Sequence, residues 1–288
     1  SVNSKFDGKI HLRYSHIEEV NNIDEIKHDI IREALRISGI SSGVEIVITS
    51  DIPTKGSGLG SSSALTVGLL TALYAYKKCY VDPEFLAEMA CKIEMDILQS
   101  PIGKQDQFAC AFGGLNLLEF DMEGVEISDL YVESKFNHIK ELEESSLLFY
   151  TGYTRDANVI LEEHKNNISL NKEFLDEIKN YVGVFKDWLY GKSRIITPDK
   201  ILNNSWQLKK ITTPGSSHPE IDKLISEITV IPGVGCKLCG AGGGGFMLVY
   251  CPLNKQNLIR EKLKHLHELH FLFSNHGSEV IYNDNICY

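Results

Sequence analysis

The stretch "PTKGSGLGSSSALTVGLLTAL", residues 53–73, concentrates residues that can hold an anion. Gly56, Gly58 and Gly60 alternate with Ser57 and Leu59, and Ser61, Ser62 and Ser63 follow at once. Glycine in a fixed loop costs backbone entropy, so a bare backbone has to be needed there. The loop sits between an apolar strand-like run and an apolar helix-like run. Exposed N–H groups at such a helix start attract anions, and glycine lets phosphate oxygens approach closely. Serine adds hydroxyls for a phosphate or a metal ion. A second glycine-rich run, "GVGCKLCGAGGGGFMLVYC" (233–251), precedes another apolar strand. The first loop is not GxxxxGK[ST], because no Lys-Ser/Thr pair follows its last glycine. GxGxG is a weak match to the dinucleotide fingerprint, because about 20 residues on residue 80 is Tyr and Asp82 reads as a helix cap. A tight strand-to-helix turn without ligand is the remaining alternative.

The elements that must position these loops mix strands and helices without strict alternation, which predicts an α+β fold. "KIHLRYS" (9–15) and "GVEIVITSDIP" (43–53) read as strands. "NIDEIKHDIIREALRISG" (22–39) reads as a helix capped by Asn22 and stopped by Gly39. A helix is expected over 62–77, and another over 82–100 with Asp82 as cap and Pro83 in its first turn. "PIGKQDQ" (101–107) reads as a loop, followed by a strand after Gly113-Gly114 and another in "SSLLFYTGYTR". Helices follow within 156–190, near 199–210 and over 253–267. "LHFLFSN" and "SEVIYN" read as closing strands.

"PTKGSGLGSSSA" resembles the second motif of the GHMP kinases, and "KLCGAGGGGF" (237–246) resembles their third. "KQDQFACAFGGLNLLEF", "YTGYTRDANVILEEHK" and "SWQLKK" with "SSHPEID" are similar to the branch of that family acting on heptose phosphates, over most of the chain. The resemblance implies a two-domain fold: an N-terminal domain like domain 2 of ribosomal protein S5 over 1–155, and a ferredoxin-like C-terminal domain over 156–288. It implies an ATP- and Mg²⁺-dependent sugar kinase that phosphorylates the anomeric hydroxyl of D-glycero-D-manno-heptose 7-phosphate to the 1,7-bisphosphate. It assigns the triphosphate to Gly56, Ser57, Gly58, Leu59, Gly60, Ser61 and Ser62, and the metal to Ser62 and Glu94. The resemblance also implies that Asp106 is the catalytic residue, facing the acceptor hydroxyl. Arg155, Gly242 and Gly243 are assigned to the substrate, with Lys209 and Lys210 weaker candidates for its distal phosphate. The family's first motif, an opening Arg-x-Pro-x-Arg strand, has no match in "SVNSKFDGKIHL", so about two strands of the fold are expected to be missing. Lys55 and Cys239 stand where smaller or apolar residues are commoner. Lys55 could touch a phosphate, and Cys239 is expected to pack. The alternatives are another acceptor (a hexose, fucose or a mevalonate-type alcohol), an inactive nucleotide-binding relative, and a dinucleotide oxidoreductase.

The bulk properties agree with a small-molecule enzyme. With 288 residues the chain can bury a large core. Its net charge of −10 argues against broad binding to nucleic acid or an anionic membrane surface. No run of 18 apolar residues predicts a membrane span, and the first residues do not resemble a signal peptide. Seven scattered cysteines predict reduced thiols in a cytoplasmic protein. Cys236 and Cys239 form a lone CxxC without a second pair for zinc. His265, His267 and His270 are expected on the polar side of a helix end. The expected partner is a small sugar or sugar phosphate, with a homodimer left open.

Overall fold

Alternation of apolar and charged residues builds the first sheet. The computed structural model describes residues 1–53, 56–133 and 136–284, with backbone alone at 132–133 and 136–137. Strands β1 (Val2–Ser4), β2 (Ile10–Arg13), β3 (Ile17–Val20) and β4 (Val44–Val47) lie in the order β1-β4-β2-β3. Only β2 and β4 are parallel, with Ile10 opposite Val44 and Leu12 opposite Ile46. All four of these side chains are buried. The intervening residues carry charges that pair across strands: Lys9 with Glu19, and Arg13 and Lys5 with Glu45. One face is thus apolar and the other polar, the pattern of a sheet covered on one side.

Helices α1 (Asp29–Ser38), α2 (Ser61–Tyr76), α3 (Pro83–Cys91) and α4 (Gln105–Phe112) complete this unit. α1 ends at Gly39, whose left-handed conformation (φ +69°) lets its N–H reach the Leu35 and Arg36 carbonyls. The helix expected from residue 22 is interrupted. Asn22 caps only a 3₁₀ turn, Ile23–Glu25, and the Glu18 carboxylate then takes the Lys27 N–H at 2.8 Å. α2 is apolar nearly all round, with Val67, Leu70 and Leu73 fully buried, and it packs against α1, α3, α4 and β1. Asp82 caps α3 through the Phe85 N–H (2.8 Å), as expected, but α3 gives way to a π-helical stretch, Lys92–Ile97. Asp106 lies in the first turn of α4, not in a loop. Lys104 precedes that helix without a side-chain cap, so no cap residue announces its start.

The second unit comprises residues 56–59 and 115–273 among those described; the first takes the rest. It contains the hairpin β5 (Asn116–Phe120) and β6 (Val125–Asp129), a single turn α5 (Leu130–Glu133), α6 (Phe136–Glu144), β7 (Ser146–Tyr150), α7 (Ala157–Asn167), α8 (Lys172–Leu189), α9 (Pro198–Thr212) and α10 (Pro219–Thr229). β8 (Gly235–Leu238), β9 (Phe246–Tyr250), α11 (Gln256–Lys262) and β10 (His267–Leu269) follow. Its four-stranded sheet has the order β10-β7-β9-β8 with every pair antiparallel. Numbered from β7, that is 4-1-3-2, the ferredoxin-like arrangement. Phe149, Trp206, Ile228, Leu238, Met247 and Val249 form its core. α9 lies so close on β8 that a Cβ on Gly235 would fall 2.4 Å from the Asp199 Cα. Asn203 bonds both the Val234 carbonyl and the Cys236 N–H, locking the pair.

Neither expected closing strand forms; β10 lies just before them and shares only Leu269 with "LHFLFSN". His267 belongs to that strand and not to a helix, which ends at Lys262. Residues 274–278 instead bond along α4: Gly114 N–H to the Ser274 carbonyl (2.7 Å) and Ser278 N–H to the Cys110 carbonyl (2.9 Å). Among the described residues no helix is long and apolar enough to cross a membrane.

Candidate active site

The first unit gathers three of the singled-out features at the start of α2. Gly60 takes a left-handed conformation (φ +65°) immediately before Ser61, and the ladder opens with the Ala64 N–H on the Gly60 carbonyl at 2.9 Å. A helix of 16 residues presents its positive end here. α4 packs across this end, and a Cβ on Gly60 would lie 3.1 Å from Asp106 Oδ2. The Asp106 carboxylate therefore faces a bare backbone at the anion-attracting end of α2. Burial pushes its pKa above the usual carboxylate value, and no cation among the described residues offsets that.

Glu94 sits in the π-helical stretch after α3, a local widening often found at functional positions. Its side chain is buried and accepts a hydrogen bond from Gln107 Nε2 at 2.6 Å. No Lys, Arg or His pairs with it among the described residues. Ser62 is exposed in the first turn of α2. Among the described residues no group of three or more His, Cys, Asp or Glu could hold a metal. A buried carboxylate without a basic partner, plus a hydroxyl, still suits Mg²⁺. That ion keeps several waters and takes one or two carboxylates beside phosphate oxygens.

One turn beyond Asp106, the Cys110 thiol is raised to about 11 by burial, with the Asp106 and Glu94 charges adding to the effect. Ala64, Ala109, Cys110, Gly113 and Gly114 line a cavity of about 410 Å³ with Ser274, His276, Gly277 and Ser278. Neither that cavity nor Gln107 stood out in the sequence. Gln107 could have been found as the amide directly after the aspartate. The cavity depends on a distant segment and could not.

In the second unit the two glycine runs meet backbone to backbone. A Cβ on Gly58 would lie 2.7 Å from the Cys239 carbonyl oxygen, and one on Gly245 would lie 2.4 Å from the Ser57 oxygen. The Phe246 N–H bonds the Ser57 carbonyl (2.8 Å), and the Gly243 N–H bonds the Ser216 carbonyl (2.6 Å). Close loop packing therefore accounts for glycine at Gly58 and Gly245 without a ligand. Gly242 and Gly243 sit against Ser216 and Arg155, respectively. Arg155 is exposed and has no hydrogen bond or ion pair among the described residues. Lys210 is taken by Asp222 at 3.0 Å. Lys209 donates to the Gly240 carbonyl and has no carboxylate partner among the described residues. Lys55 lies outside the described residues.

Burial, aided by neighbouring Lys237, lowers the Lys209 pKa to about 8 from the ordinary 10.5. Between these values the unfolded chain binds a proton that the folded chain has released, so this group's contribution to stability rises with pH across that window. In urea unfolding between pH 8 and 10, the change of stability with pH should be less positive in Lys209→Met than in the wild type. An unchanged slope in the variant would place the titration elsewhere. Burial also raises the Cys236 and Cys239 thiols, Cys236 well above the usual range, so neither has the thiolate character of a redox pair.

Comparison with known proteins matches residues 25–114 to the GHMP kinases N terminal domain and residues 191–268 to the GHMP kinases C terminal domain. D-glycero-alpha-D-manno-heptose 7-phosphate kinase of Campylobacter jejuni is 34% identical over 215 residues, 73% of this chain and 62% of that protein. The L-fucokinase/L-fucose-1-P guanylyltransferase of Bacteroides fragilis is 28% identical over 74% of this chain and 22% of its own length. The chain thus spans less than two thirds of either relative. The crystal structure of a D-glycero-D-manno-heptose 1-phosphate kinase from Bacteroides thetaiotaomicron superposes with a TM-score of 0.69 at 20% identity. That match covers 98% of this chain and 87% of the other, and at this identity it bears on fold alone.

Proposed function

Because the chain belongs to the GHMP kinases, we propose that it transfers the γ-phosphoryl group of ATP to the anomeric hydroxyl of D-glycero-D-manno-heptose 7-phosphate. The observation that carries this reading is the Asp106 carboxylate, desolvated and unpaired with any cation among the described residues, beside Gly60 at the start of α2. A carboxylate so placed can orient an acceptor hydroxyl and take its proton as the new O–P bond forms. The bond from the γ-phosphorus to the bridging oxygen breaks in the same displacement, and ADP leaves. An anomeric hydroxyl is more acidic than an ordinary alcohol, so Asp106 acts as much by orientation as by basicity.

The segment Gly56–Ser62 would bind the triphosphate, with the α2 N-terminus supplying N–H donors where Gly58 is committed to loop packing. Glu94 and Ser62 would hold Mg²⁺, which neutralises charge on the triphosphate when bound. Arg155, exposed and fork-shaped, would bind the distal phosphate of the acceptor, with Lys209 a second cation for the same group.

ADP release from Mg-ATP tests the reading with a panel of D-glycero-D-manno-heptose 7-phosphate, mannose, galactose, fucose and mevalonate. Turnover confined to the heptose phosphate is expected. Turnover on another member would keep phosphoryl transfer and remove the heptose. Thermal stabilisation by NAD and none by ATP would contradict the reading outright.

A further inference from the structure

Glu94 and Gln107 form a buried polar pair whose hydrogen bonding does not close. Glu94 is 2% exposed and Gln107 fully buried. The Gln107 Nε2–H donates to Glu94 Oε2 at 2.6 Å, a charge-assisted bond. Among the described residues the hydrogen bond to Glu94 goes to Oε2 and none to Oε1, and Gln107 Oε1 is buried with no donor to accept from. Two hard oxygen acceptors thus lie on one hydrogen-bonded pair with nothing donating to either. An orphaned buried amide oxygen is costly.

The local backbone explains how the pair is held. The π-helical stretch Lys92–Ile97 closes with the Leu98 N–H on the Ile93 carbonyl (2.9 Å), and the Ser100 N–H then takes the Glu94 carbonyl (2.9 Å). Glu94 is thereby fixed at the end of α3, which packs along α4. Within the first turn of α4, Asp106 faces Gly60 and Gln107 faces Glu94.

We propose that Gln107 is a positioning residue for a divalent cation: its amide N–H fixes the Glu94 carboxylate so that Oε1 ligates the ion, and its own Oε1 accepts from a water of the ion's hydration shell. The inference rests on the phosphoryl-transfer reading for the kind of cation, a metal bound together with ATP. Partners that orient a ligating carboxylate typically change metal affinity about 10–100-fold when removed.

The test is titration of the whole chain with Mn²⁺, followed by electron paramagnetic resonance at saturating ATP. Gln107→Leu should raise the Mn²⁺ dissociation constant by about tenfold or more and leave metal-free ATP binding unchanged. It should also raise the half-saturating Mg²⁺ in turnover, with kcat recovered at high Mg²⁺, a recovery that mere loss of packing would not show. Gln107→Asn, whose shorter amide cannot reach Glu94, should act in the same direction and serves if the Leu variant does not fold. Mn²⁺ affinity within about twofold of wild type in either folded variant would overturn the proposal. So would a wild type that binds no Mn²⁺ with ATP. Turnover with Gln107-independent Mn²⁺ binding would remove this inference alone. Gln107-dependent Mn²⁺ binding without turnover on any acceptor would remove the kinase reading and leave the inference standing.

Discussion

Asp106→Asn is expected to lower kcat by about 10²–10⁴-fold while the ATP dissociation constant stays within about twofold. Asparagine keeps the shape that packs beside Gly60 and loses the negative charge and the ability to take a proton. The variant should be no less stable than wild type near pH 7. Burial raises the Asp106 pKa, so the folded state holds the ionised carboxylate at a penalty once pH exceeds that value. The neutral amide removes this penalty. For the same reason, the acid limb of the wild-type kcat/KM profile should lie above the ordinary carboxylate range and be absent from the residual activity of the variant. Steady-state kinetics and thermal unfolding on the same preparations check both halves. A large loss of stability together with the loss of turnover would mean that Asp106 is structural.

Gly58→Ala is expected to destabilise the protein by about 2–5 kcal/mol. Two costs add. Gly58 has φ +76°, where a Cβ costs about 1–2 kcal/mol. The new methyl would also lie 2.7 Å from the Cys239 carbonyl oxygen and 3.0 Å from its carbon, and backbone atoms cannot swing aside. Overpacking of this kind costs about 1–3 kcal/mol. The contact is mutual, since a Cβ on Gly240 would meet the Gly58 Cα at 2.7 Å. Gly103→Ala is the control: nothing lies within 4 Å of its added Cβ, and it should change stability by no more than about 0.5 kcal/mol. Thermal or urea unfolding of the two variants decides it. Equal stability in both would mean that the loops are not packed as described.

The Gly-Ser loop and the helix behind it were legible because glycine, serine and an apolar run differ sharply in what their backbones can do. The α2 boundary fell within one residue of expectation. α4 was not legible, since Pro101 and Gly103 advertise a loop and no cap residue announces the helix at Gln105. The break at residues 26–28 depends on Glu18, a partner from another strand that captures the Lys27 N–H. β1 was missed for a similar reason: Val2–Ser4 carries no alternation of its own and is defined only by pairing with β4. The two glycine runs were each visible, but their mutual contact was not. A sequence shows that a backbone must be bare and does not show whether a ligand or another backbone lies against it. The Glu94–Gln107 pair was half legible, because the family resemblance pointed to the carboxylate twelve residues before Asp106 and not to the amide.

Phosphorus NMR of the product formed from Mg-ATP and D-glycero-D-manno-heptose 7-phosphate tests the central claim most directly. The account predicts one new phosphomonoester resonance per ADP formed, coupled to the anomeric proton, with the 7-phosphate resonance retained. ATP left intact, ATP hydrolysed to free phosphate alone, or a new phosphate coupled to a proton elsewhere on the sugar would contradict it.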